Sequence, residues 1–266
     1  MQTMVQGTQV YYHERGSGTP TIFLHGVPDS AELWRPIIDQ LQSSYRCIAP
    51  DLPGLTTRSA LPTGFDFTLP SMAQWLNDFV TALAIHEPIN LVFGDFGGLY
   101  ALAFAITYPE RVGKLALAGS VGFTPDYEWH STAKMWRTPI LGEVSMMMLN
   151  EGMFANTMKT SAPLLTPQHW RDVYALSLAN AAVKRNIVRL YRAIDTKDYA
   201  TWEPKLLDLT RRVPMIVLWG DQDPFIDRRF ADRFGAQQVQ HYPNNGHWIA
   251  AEAPDEMAAQ IAAFLG

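Results

Sequence analysis

The sequence predicts an α/β fold: a mostly parallel sheet flanked by helices, with an inserted helical cap. Two observations support this prediction. Short apolar runs typical of buried strands alternate with helical patterns over residues 8–118, and strand signals return from residue 215 onwards. Between these stretches the strand signal stops, and only helical patterns rich in Trp, Tyr and Met remain. We therefore expect a core made of residues 1–119 and 213–266 and a cap made of residues 120–212.

The strands of the predicted core are recognised by alternating or continuous apolar residues that end at turn residues. Strands that alternate with helices in this order form parallel sheets covered on both faces. The predicted strands span residues 8–14, 21–24, 45–49, 90–93, 114–118, 215–219 and 239–242.

The predicted helices carry apolar residues at spacings of three and four along the chain. They span residues 31–43, 71–85, 99–106, 227–234 and 254–265 in the core, and 143–149, 167–180 and 182–191 in the cap. Ser71, followed three residues later by Gln74, is expected to begin the second of these helices with a capping box.

Composition argues against several classes of protein. With 47% apolar residues and a net charge of -5, the 266-residue chain has the composition of a globular protein, and no basic stripe indicates a nucleic-acid partner. No run of about 18 apolar residues suits a membrane span, and residues 1–10 lack the apolar centre of a signal peptide. The single cysteine, Cys47, lies in an apolar run, so we expect it to be buried. We therefore predict a cytoplasmic protein without a membrane partner, cofactor or metal.

The chain is organised around the turn that follows residues 90–93. One polar residue, Asp95, stands at the tip of this glycine-flanked turn, and a helix of small residues follows. This is the strand-turn-helix layout of a nucleophile elbow, in which many proteins carry serine. A carboxylate is already ionised at pH 7 and can attack a saturated carbon that bears a leaving group, which forms an ester on the enzyme. Activated water can hydrolyse that ester in a second step.

Two further candidate residues follow later strands: Asp223 comes after residues 215–219, and His247 comes after residues 239–242. The carboxyl ends of parallel strands meet at the edge where such sheets place their sites. One such residue alone would mean little, but three in the order nucleophile, acid and base form a specific pattern. A loop with a glycine and a proline at residues 25–28 can leave backbone N–H groups free, as half of an oxyanion hole.

These motifs resemble the aspartate-nucleophile branch of the alpha/beta-hydrolase superfamily, which includes epoxide hydrolases and haloalkane or haloacetate dehalogenases. The resemblance covers nearly the whole chain, and the matching stretches are HGVP at 25–28, WR at 34–35, DLPG at 51–54, DFGG at 95–98, YPER at 108–111, GDQD at 220–223 and GHW at 246–248. It implies the alpha/beta-hydrolase fold, Asp95 as nucleophile, His247 as the base that activates water, and Asp223 as the acid that orients His247. It also implies an oxyanion hole formed by the backbone N–H groups of Val27 and Phe96.

The leaving group separates the members of this branch. Haloalkane dehalogenases usually hold the halide with a Trp directly after the nucleophile, but this chain has Phe96 there, which offers no donor. Epoxide hydrolases supply cap tyrosines as acids for the ring oxygen. Tyr191 lies in a Tyr-Arg segment that resembles theirs, whereas Tyr127 is a poor positional match for a second acid.

Trp129 and Trp136 suit a cap that closes an apolar pocket, and with His25 they complete the candidate contacts to substrate or leaving group. We expect a hydrolase that acts on a small apolar organic substrate as a monomer or homodimer. Epoxide hydrolysis is the first interpretation, and dehalogenation of haloalkanes or haloacids is the second. A cofactor-free oxygenase and a non-catalytic receptor on the same fold are the alternatives from other classes, indicated by oxygen dependence and by binding without turnover.

Overall fold

The computed structural model describes residues 1–119 and 123–266. Eight strands are present within these ranges: β1 (Gln2–Val5), β2 (Thr8–Arg15), β3 (Thr19–Leu24), β4 (Tyr45–Pro50), β5 (Ile89–Phe93), β6 (Val112–Ala118), β7 (Met215–Gly220) and β8 (Gln238–Tyr242). They form one sheet in the order β1-β2-β4-β3-β5-β6-β7-β8.

The sheet is parallel except at one edge. β1 pairs antiparallel with β2, and β2 pairs antiparallel with β4, whereas all pairs from β4 to β8 are parallel. This arrangement confirms the predicted α/β class and brings the carboxyl ends of β3, β5, β7 and β8 to the same edge. The sequence did not indicate β1, because only Val5 of its four residues is buried and no apolar pattern results.

Helices cover both faces of the sheet. Those among the described residues are α1 (Arg35–Leu41), α2 (Leu69–Ala82), α3 (Gly97–Thr107), α4 (Ser131–Arg137), α5 (Leu141–Met148), α6 (Glu151–Ser161), α7 (Pro167–Leu176), α8 (Ala181–Ala193), α9 (Tyr199–Leu209), α10 (Ile249–Glu252) and α11 (Pro254–Leu265). α1 and α11 bury Ile38 and Ile261 in one apolar layer, and α2 and α3 bury Trp75 and Phe104 in the other.

Two predicted helices differ from the observed ones where proline stands in the first turn. The capping box predicted at Ser71 is wrong, because α2 begins at Leu69 and the Thr68 hydroxyl caps it by accepting the N–H of Ser71. Pro70 is accommodated inside the helix, since the first-turn N–H groups have no partner within it. The helix predicted over residues 31–43 is divided into a 3-10 turn, Ala31–Trp34, and α1.

Six helices of the described chain, α4 to α9, lie between β6 and β7, which confirms the expected helical insertion. α5, α7 and α8 correspond to predicted helices, whereas α4, α6 and α9 do not. Residues 120–122, where the predicted cap begins, lie outside the described residues. Among the residues that are described, no helix is long and apolar enough to cross a membrane.

Candidate active site

Asp95 stands at the tip of the turn between β5 and α3. Its φ angle is 44°, in the left-handed region that side chains other than glycine rarely adopt, and its N–H donates to the carbonyl of Gly119 at 2.7 Å. A Cβ at Gly26 would lie 2.1 Å from Asp95 Oδ1, and a Cβ at Gly97 would lie 2.3 Å from the carbonyl oxygen of Leu24. The turn therefore packs against the end of β3 with no space for a methyl group.

The carboxylate of Asp95 contacts different groups with its two oxygens. Oδ1 accepts the backbone N–H of Val27 at 2.6 Å, and Oδ2 lies 3.2 Å from His247 Nε2. Burial raises the pKa of Asp95, but the hydrogen bond and charge of His247 and the N–H groups of Val27 and Phe96 outweigh burial and hold this pKa below its usual range. Asp95 is therefore an anion at neutral pH.

His247 connects Asp95 to Asp223. Its Nδ1 lies 2.7 Å from Asp223 Oδ2, and both side chains are almost completely buried. Burial lowers the pKa of His247, but the charge and hydrogen bond of Asp223, followed by those of Asp95, raise it well above the usual value. The backbone N–H groups of Phe225 and Ile226 donate to Oδ1 of Asp223 at 2.7 and 3.0 Å. These bonds hold Asp223 in position to orient an imidazolium ring.

The second carboxylate of the same loop, Asp221, has other partners. Its Oδ1 lies 2.6 Å from His241 Nδ1, and its Oδ2 lies 3.6 Å from Arg228 Nη1. The structure thus brings Asp223, and not Asp221, to His247.

A cavity of about 410 Å³ adjoins Asp95 and His247 and has many of its walls in the cap. This volume is within the range of sites for small molecules. Tyr191, Trp129 and Trp136, which were expected to contact the substrate, all line it, as do Val27 and Phe96. Its other walls are largely apolar and include Met135, Met148, Met153, Phe154, Met158 and Ile187.

Two tyrosines stand in the cavity wall beside Asp95. The ring of Tyr191 lies 4.8 Å from the ring of Phe96, the residue after Asp95. Burial, and then the charge of Asp95, raise the pKa values of both Tyr191 and Tyr127. Neither hydroxyl has a hydrogen bond partner among the described residues. Sequence position made Tyr127 a poor candidate, but its ring packs 5.3 Å from that of Trp129 and reaches the same cavity.

Arg137 of α4 holds this aromatic wall in place. Its guanidinium donates to the carbonyl of Tyr191 and, at 2.6 Å, to that of Ile194. These carbonyls lie at the C-terminal end of α8, where a cation is favourable. The guanidinium carbon also lies 5.1 Å from the ring centre of Trp129, and the ring of Trp136 lies 5.0 Å from that of Tyr191.

His25 was predicted to contact the substrate or leaving group, and this prediction is wrong. The side chain is fully buried and does not line the large cavity. Its Nδ1 donates to the carbonyl of Gly26 at 2.7 Å, and its Nε2 accepts the N–H of Leu52 at 2.8 Å. Burial lowers the pKa of His25, which keeps the ring neutral as these two bonds require. Both nitrogens are used to join the loops after β3 and β4.

A second cavity, of about 20 Å³, also adjoins Asp95 and His247 and is lined by core residues. Asp29 and Trp248 line it, and the indole N–H of Trp248 donates to Asp29 Oδ2 at 2.9 Å. Oδ1 of Asp29 has no hydrogen bond partner among the described residues. Burial raises the pKa of Asp29 to about 7. The cavity has room for one water molecule.

Asp29 is not among the site residues predicted from the sequence. In sequence it is one carboxylate in a turn before a helix, and nothing in the residue pattern distinguishes it from an exposed cap. One feature of the sequence could have indicated a role for Asp29 at the site. It lies two residues after Val27, in the loop that was expected to contribute to the oxyanion hole.

These elements define a class of protein. A mostly parallel sheet carries an ionised side chain on a sharp turn after a central strand, an acid and a histidine after later strands, and an apolar cavity under inserted helices, which is the layout of α/β-fold hydrolases. Among the described residues, no group of three or more His, Cys, Asp or Glu side chains is arranged to hold a metal ion. The chain belongs to the alpha/beta hydrolase fold family, whose sequence model matches residues 19–254.

Three relatives within this family have different activities in their names. The chain is 26% identical to a cis-3-alkyl-4-alkyloxetan-2-one decarboxylase of Shewanella oneidensis, over 97% of this chain and 86% of that protein. It is 27% identical to haloalkane dehalogenase 2 of Mycobacterium tuberculosis, over 97% and 92%. It is 25% identical to epoxide hydrolase 3 of Mus musculus, over 94% and 71%.

Solved structures are similar to this chain over its whole length. The haloalkane dehalogenase DbeA of Bradyrhizobium elkani superposes with a TM-score of 0.84 at 22% identity, covering 100% of this chain and 96% of that one. This similarity confirms the fold.

Proposed function

We propose that the protein is an epoxide hydrolase that uses Asp95 as its nucleophile. The first step forms an ester between Asp95 and a substrate carbon, and the second step hydrolyses this ester to release a vicinal diol. The observation that carries the choice of an epoxide is that two tyrosines with hydroxyl groups, Tyr191 and Tyr127, line the cavity that adjoins Asp95. A departing ring oxygen needs a proton, and these hydroxyls can donate one.

In the first step, Oδ2 of Asp95 attacks one carbon of the ring. The bond from this carbon to the ring oxygen breaks as the new bond forms, and the oxygen takes a proton from Tyr191 or Tyr127. Oδ1 meanwhile stays with the backbone N–H of Val27, and Oδ2, on the side of His247, is the attacking atom. General-acid help of this kind is worth about 10²–10⁴ in rate.

Ester formation converts His247 into a base. It removes the negative charge of Asp95, which is one of the causes of the raised pKa of His247. The pKa therefore falls, and the imidazolium can return a proton to the tyrosinate. The neutral ring then takes a proton from a water that attacks the ester carbonyl. Negative charge builds on Oδ1, where the N–H groups of Val27 and Phe96 stabilise it.

Collapse of this intermediate completes the reaction. The alkyl oxygen leaves with the proton from His247 as the second hydroxyl of the diol. Asp95 is regenerated as an acid and gives its proton back to His247, which restores the ion pair of the resting enzyme.

The 20 Å³ cavity offers a place for the attacking water. It adjoins Asp95 and His247, and Asp29 is one of the residues that line it. A water there can give one proton to His247 and keep the other in a hydrogen bond to Asp29 while it approaches the ester. Because the walls of this cavity belong to the core, substrate in the large cavity does not displace that water.

The relatives support two leaving groups. One has the name of an epoxide hydrolase, and the decarboxylase has a name that describes a strained four-membered oxygen ring. Opening of an epoxide leaves charge on an alkoxide oxygen, for which tyrosine acids are suited. A third relative has the name of a haloalkane dehalogenase, whose leaving group is a halide.

Dehalogenation is therefore the second candidate, and one observation favours it. Trp129 lines the cavity, its ring lies 6.2 Å from that of Phe96, and its buried indole N–H has no hydrogen bond partner among the described residues. Such an N–H can hold a halide. We place this candidate second because Phe96, next to Asp95, offers the halide no side-chain donor.

A turnover screen of terminal epoxides and bromoalkanes tests the proposal, with diol and bromide as products to be measured. We expect diol. Bromide without diol would favour dehalogenation, oxygen-dependent turnover would indicate an oxygenase, and tight binding without any turnover would indicate a receptor.

The His247→Gln variant tests the covalent step. It should accumulate an adduct on the peptide that holds Asp95, with the full mass of the epoxide, and Asp95→Asn should form none. Unmodified His247→Gln protein after incubation with a substrate that the wild type turns over would contradict the mechanism.

A further inference from the structure

We propose that the large cavity is one end of a longer site, which binds substrates with a long alkyl chain. The far end of this alkyl chain passes out of the cavity between Met148 and Met153 and lies along the exposed face of α5. The identity of the reactive group at the other end of the alkyl chain, an epoxide, rests on the proposed function. The existence of the alkyl site does not depend on it.

The cavity reaches the protein surface at the α5–α6 turn. Three residues that line it are exposed: Met148, Met153 and Thr157. Met148 is 62% exposed and Met153 is 49% exposed, although both also form cavity wall. The residues near Asp95 are buried or half-buried, so a molecule bound there meets solvent beside these methionines.

The outer face of α5 continues the apolar wall. Leu141, Val144 and Met147 are exposed on this helix, and Ile140, directly before it, is 77% exposed. A surface helix normally turns its apolar side inward, but α5 buries only Gly142 and Met146. Contiguous exposed apolar surface of this kind usually marks a place where something binds.

An alkyl chain fits this surface better than a protein does. α5 has eight residues and is about 12 Å long. A stable protein interface buries about 800 Å² per partner, over 20–30 residues, which is far more than this strip offers. Methionine side chains are unbranched and adapt to flexible apolar shapes. The strip is also continuous with the cavity through Met148, as a chain that starts at Asp95 requires.

A lipid surface fits less well. Helices that lie on membranes carry Lys and Arg on their polar face, whereas α5 has no basic residue. Its one charged residue, Glu143, is acidic, and Arg192 neutralises it through hydrogen bonds that include one of 2.8 Å. The helix therefore has no charge that would attract an anionic bilayer.

The test measures chain-length dependence with terminal epoxides of 6 to 16 carbons. In the wild type, kcat/KM should rise by up to about fourfold for each additional methylene that binding removes from water. This rise should continue for alkyl chains that are longer than the cavity itself. In Met147→Lys and Val144→Lys, the ratio of kcat/KM for long over short substrates should fall at least tenfold. Met4→Lys is the matched control, because Met4 is 59% exposed on β1, and its ratio should equal that of the wild type.

Binding of unreactive alkan-1-ols by calorimetry separates this inference from the proposed function. If affinity rises with alkanol length and falls in Met147→Lys, the alkyl site stands even if no epoxide is turned over. If epoxides are hydrolysed but neither rate nor affinity depends on length or on Met147, the alkyl site is wrong. A Met147→Lys variant that instead changes vesicle binding or oligomeric mass, with no effect on alkanols, would also overturn it.

Discussion

At the scale of single residues, two buried carboxylates beside one histidine have opposite pKa directions. Burial raises the pKa of both, but Asp95 has the charge and hydrogen bond of His247 and two backbone N–H groups, which bring it below its usual value. Asp29 has mainly the Trp248 N–H to offset burial, and its pKa rises to about 7. Asp95 is therefore permanently charged near neutral pH, whereas Asp29 changes charge there.

We expect Asp29→Asn to slow ester hydrolysis without slowing ester formation. Asn still accepts the Trp248 N–H but gives the water no charged acceptor. Such a hydrogen bond contributes about 1.5–3 kcal/mol, or roughly 10- to 150-fold in rate. In single-turnover experiments the ester should accumulate in this variant, and an unchanged hydrolysis rate would mean that the water does not contact Asp29.

The same variant should also differ from wild type in the pH dependence of its stability. In the wild type the pKa of Asp29 is raised from 3.8 to about 7, so the folded protein keeps a proton that the unfolded chain loses between these values. The contribution of Asp29 to stability therefore falls as the pH rises through this window. Relative to the wild type, Asp29→Asn should gain free energy of unfolding from about pH 4 to pH 7, measured by urea unfolding, and parallel curves would contradict the assignment.

Asp223→Asn and Asp221→Asn distinguish the two carboxylates after β7. We expect Asp223→Asn to slow ester hydrolysis by orders of magnitude, because Asp223 holds the ring of His247 and stabilises its charged form. Asp221 contacts His241 at the surface instead, so Asp221→Asn should have only a small effect. The two rates are compared in single-turnover hydrolysis, and the opposite ranking would overturn the assignment of Asp223.

Tyr191→Phe should reduce ester formation from epoxides by about 10²–10⁴ while sparing any reaction with bromoalkanes, because a halide needs no proton. Tyr127→Phe should have a smaller effect, because Tyr191 packs directly on Phe96, the residue after Asp95, whereas Tyr127 packs on Trp129 behind it. Tyr199→Phe is the control: Tyr199 is a fully buried tyrosine that does not line the cavity. Epoxide turnover that survives both cavity substitutions would leave dehalogenation as the better proposal.

The site residues that could be predicted from the sequence are those that directly follow a strand. Asp95, Asp223 and His247 each follow a predicted strand, and the geometry of parallel sheets then brings them together. Tyr127 and Asp29 could not be selected in this way. Tyr127 reaches the cavity through packing of the cap on the core, and the properties of Asp29 depend on burial, neither of which leaves a local pattern.

At the scale of elements, α4 and α8 are joined through Arg137, and this junction sets the position of Tyr191. We expect Arg137→Met to slow ester formation, because misplacing an acid by about 1 Å can cost 10²-fold. The effect should nearly vanish in a Tyr191→Phe background, which is an outcome that general loss of folding would not give. Arg192→Met is the control, since Arg192 pairs with the exposed carboxylate of Glu143, and pairs of this kind contribute little to stability.

The helices of the cap were only partly predictable. α8 has a clear apolar stripe that includes Val183, Ile187 and Tyr191, and its predicted position is close to the observed one. α5 instead exposes apolar residues on its outer face, and α6 buries only Phe154 and Met158. Where a helix faces a cavity rather than a packed core, the apolar side does not mark the buried side.

At the scale of the whole molecule, an ion pair between a buried carboxylate and a half-buried arginine connects loops at the edge of the sheet that carries the site. Asp51, after β4, is fully buried, and Arg58 donates to its two oxygens at 2.7 and 2.9 Å. The N–H of Ala31, from the loop after β3, donates to the same carboxylate at 2.8 Å.

We expect Arg58→Met to lower the free energy of unfolding by about 3–5 kcal/mol, because it leaves the Asp51 carboxylate buried without its cation. Arg212→Met should cost about 0–1 kcal/mol, since the pair of Arg212 with Asp208 is exposed. Urea unfolding measures both, and equal losses would contradict the importance of burial here.

Because Gly26 and Gly97 leave no space for a methyl group, these two positions cannot be randomised in laboratory evolution, whereas other positions around the site can. A side chain at either glycine would meet Asp95 or the backbone of β3, so most clones diversified there would lose the geometry of the Asp95 turn. Met147 and Met148 of α5 and Met153 of α6 have no such constraint, because part of each of these side chains is already in solvent. A combinatorial library confined to these helices can therefore screen for new selectivity while every member inherits the same reactive group.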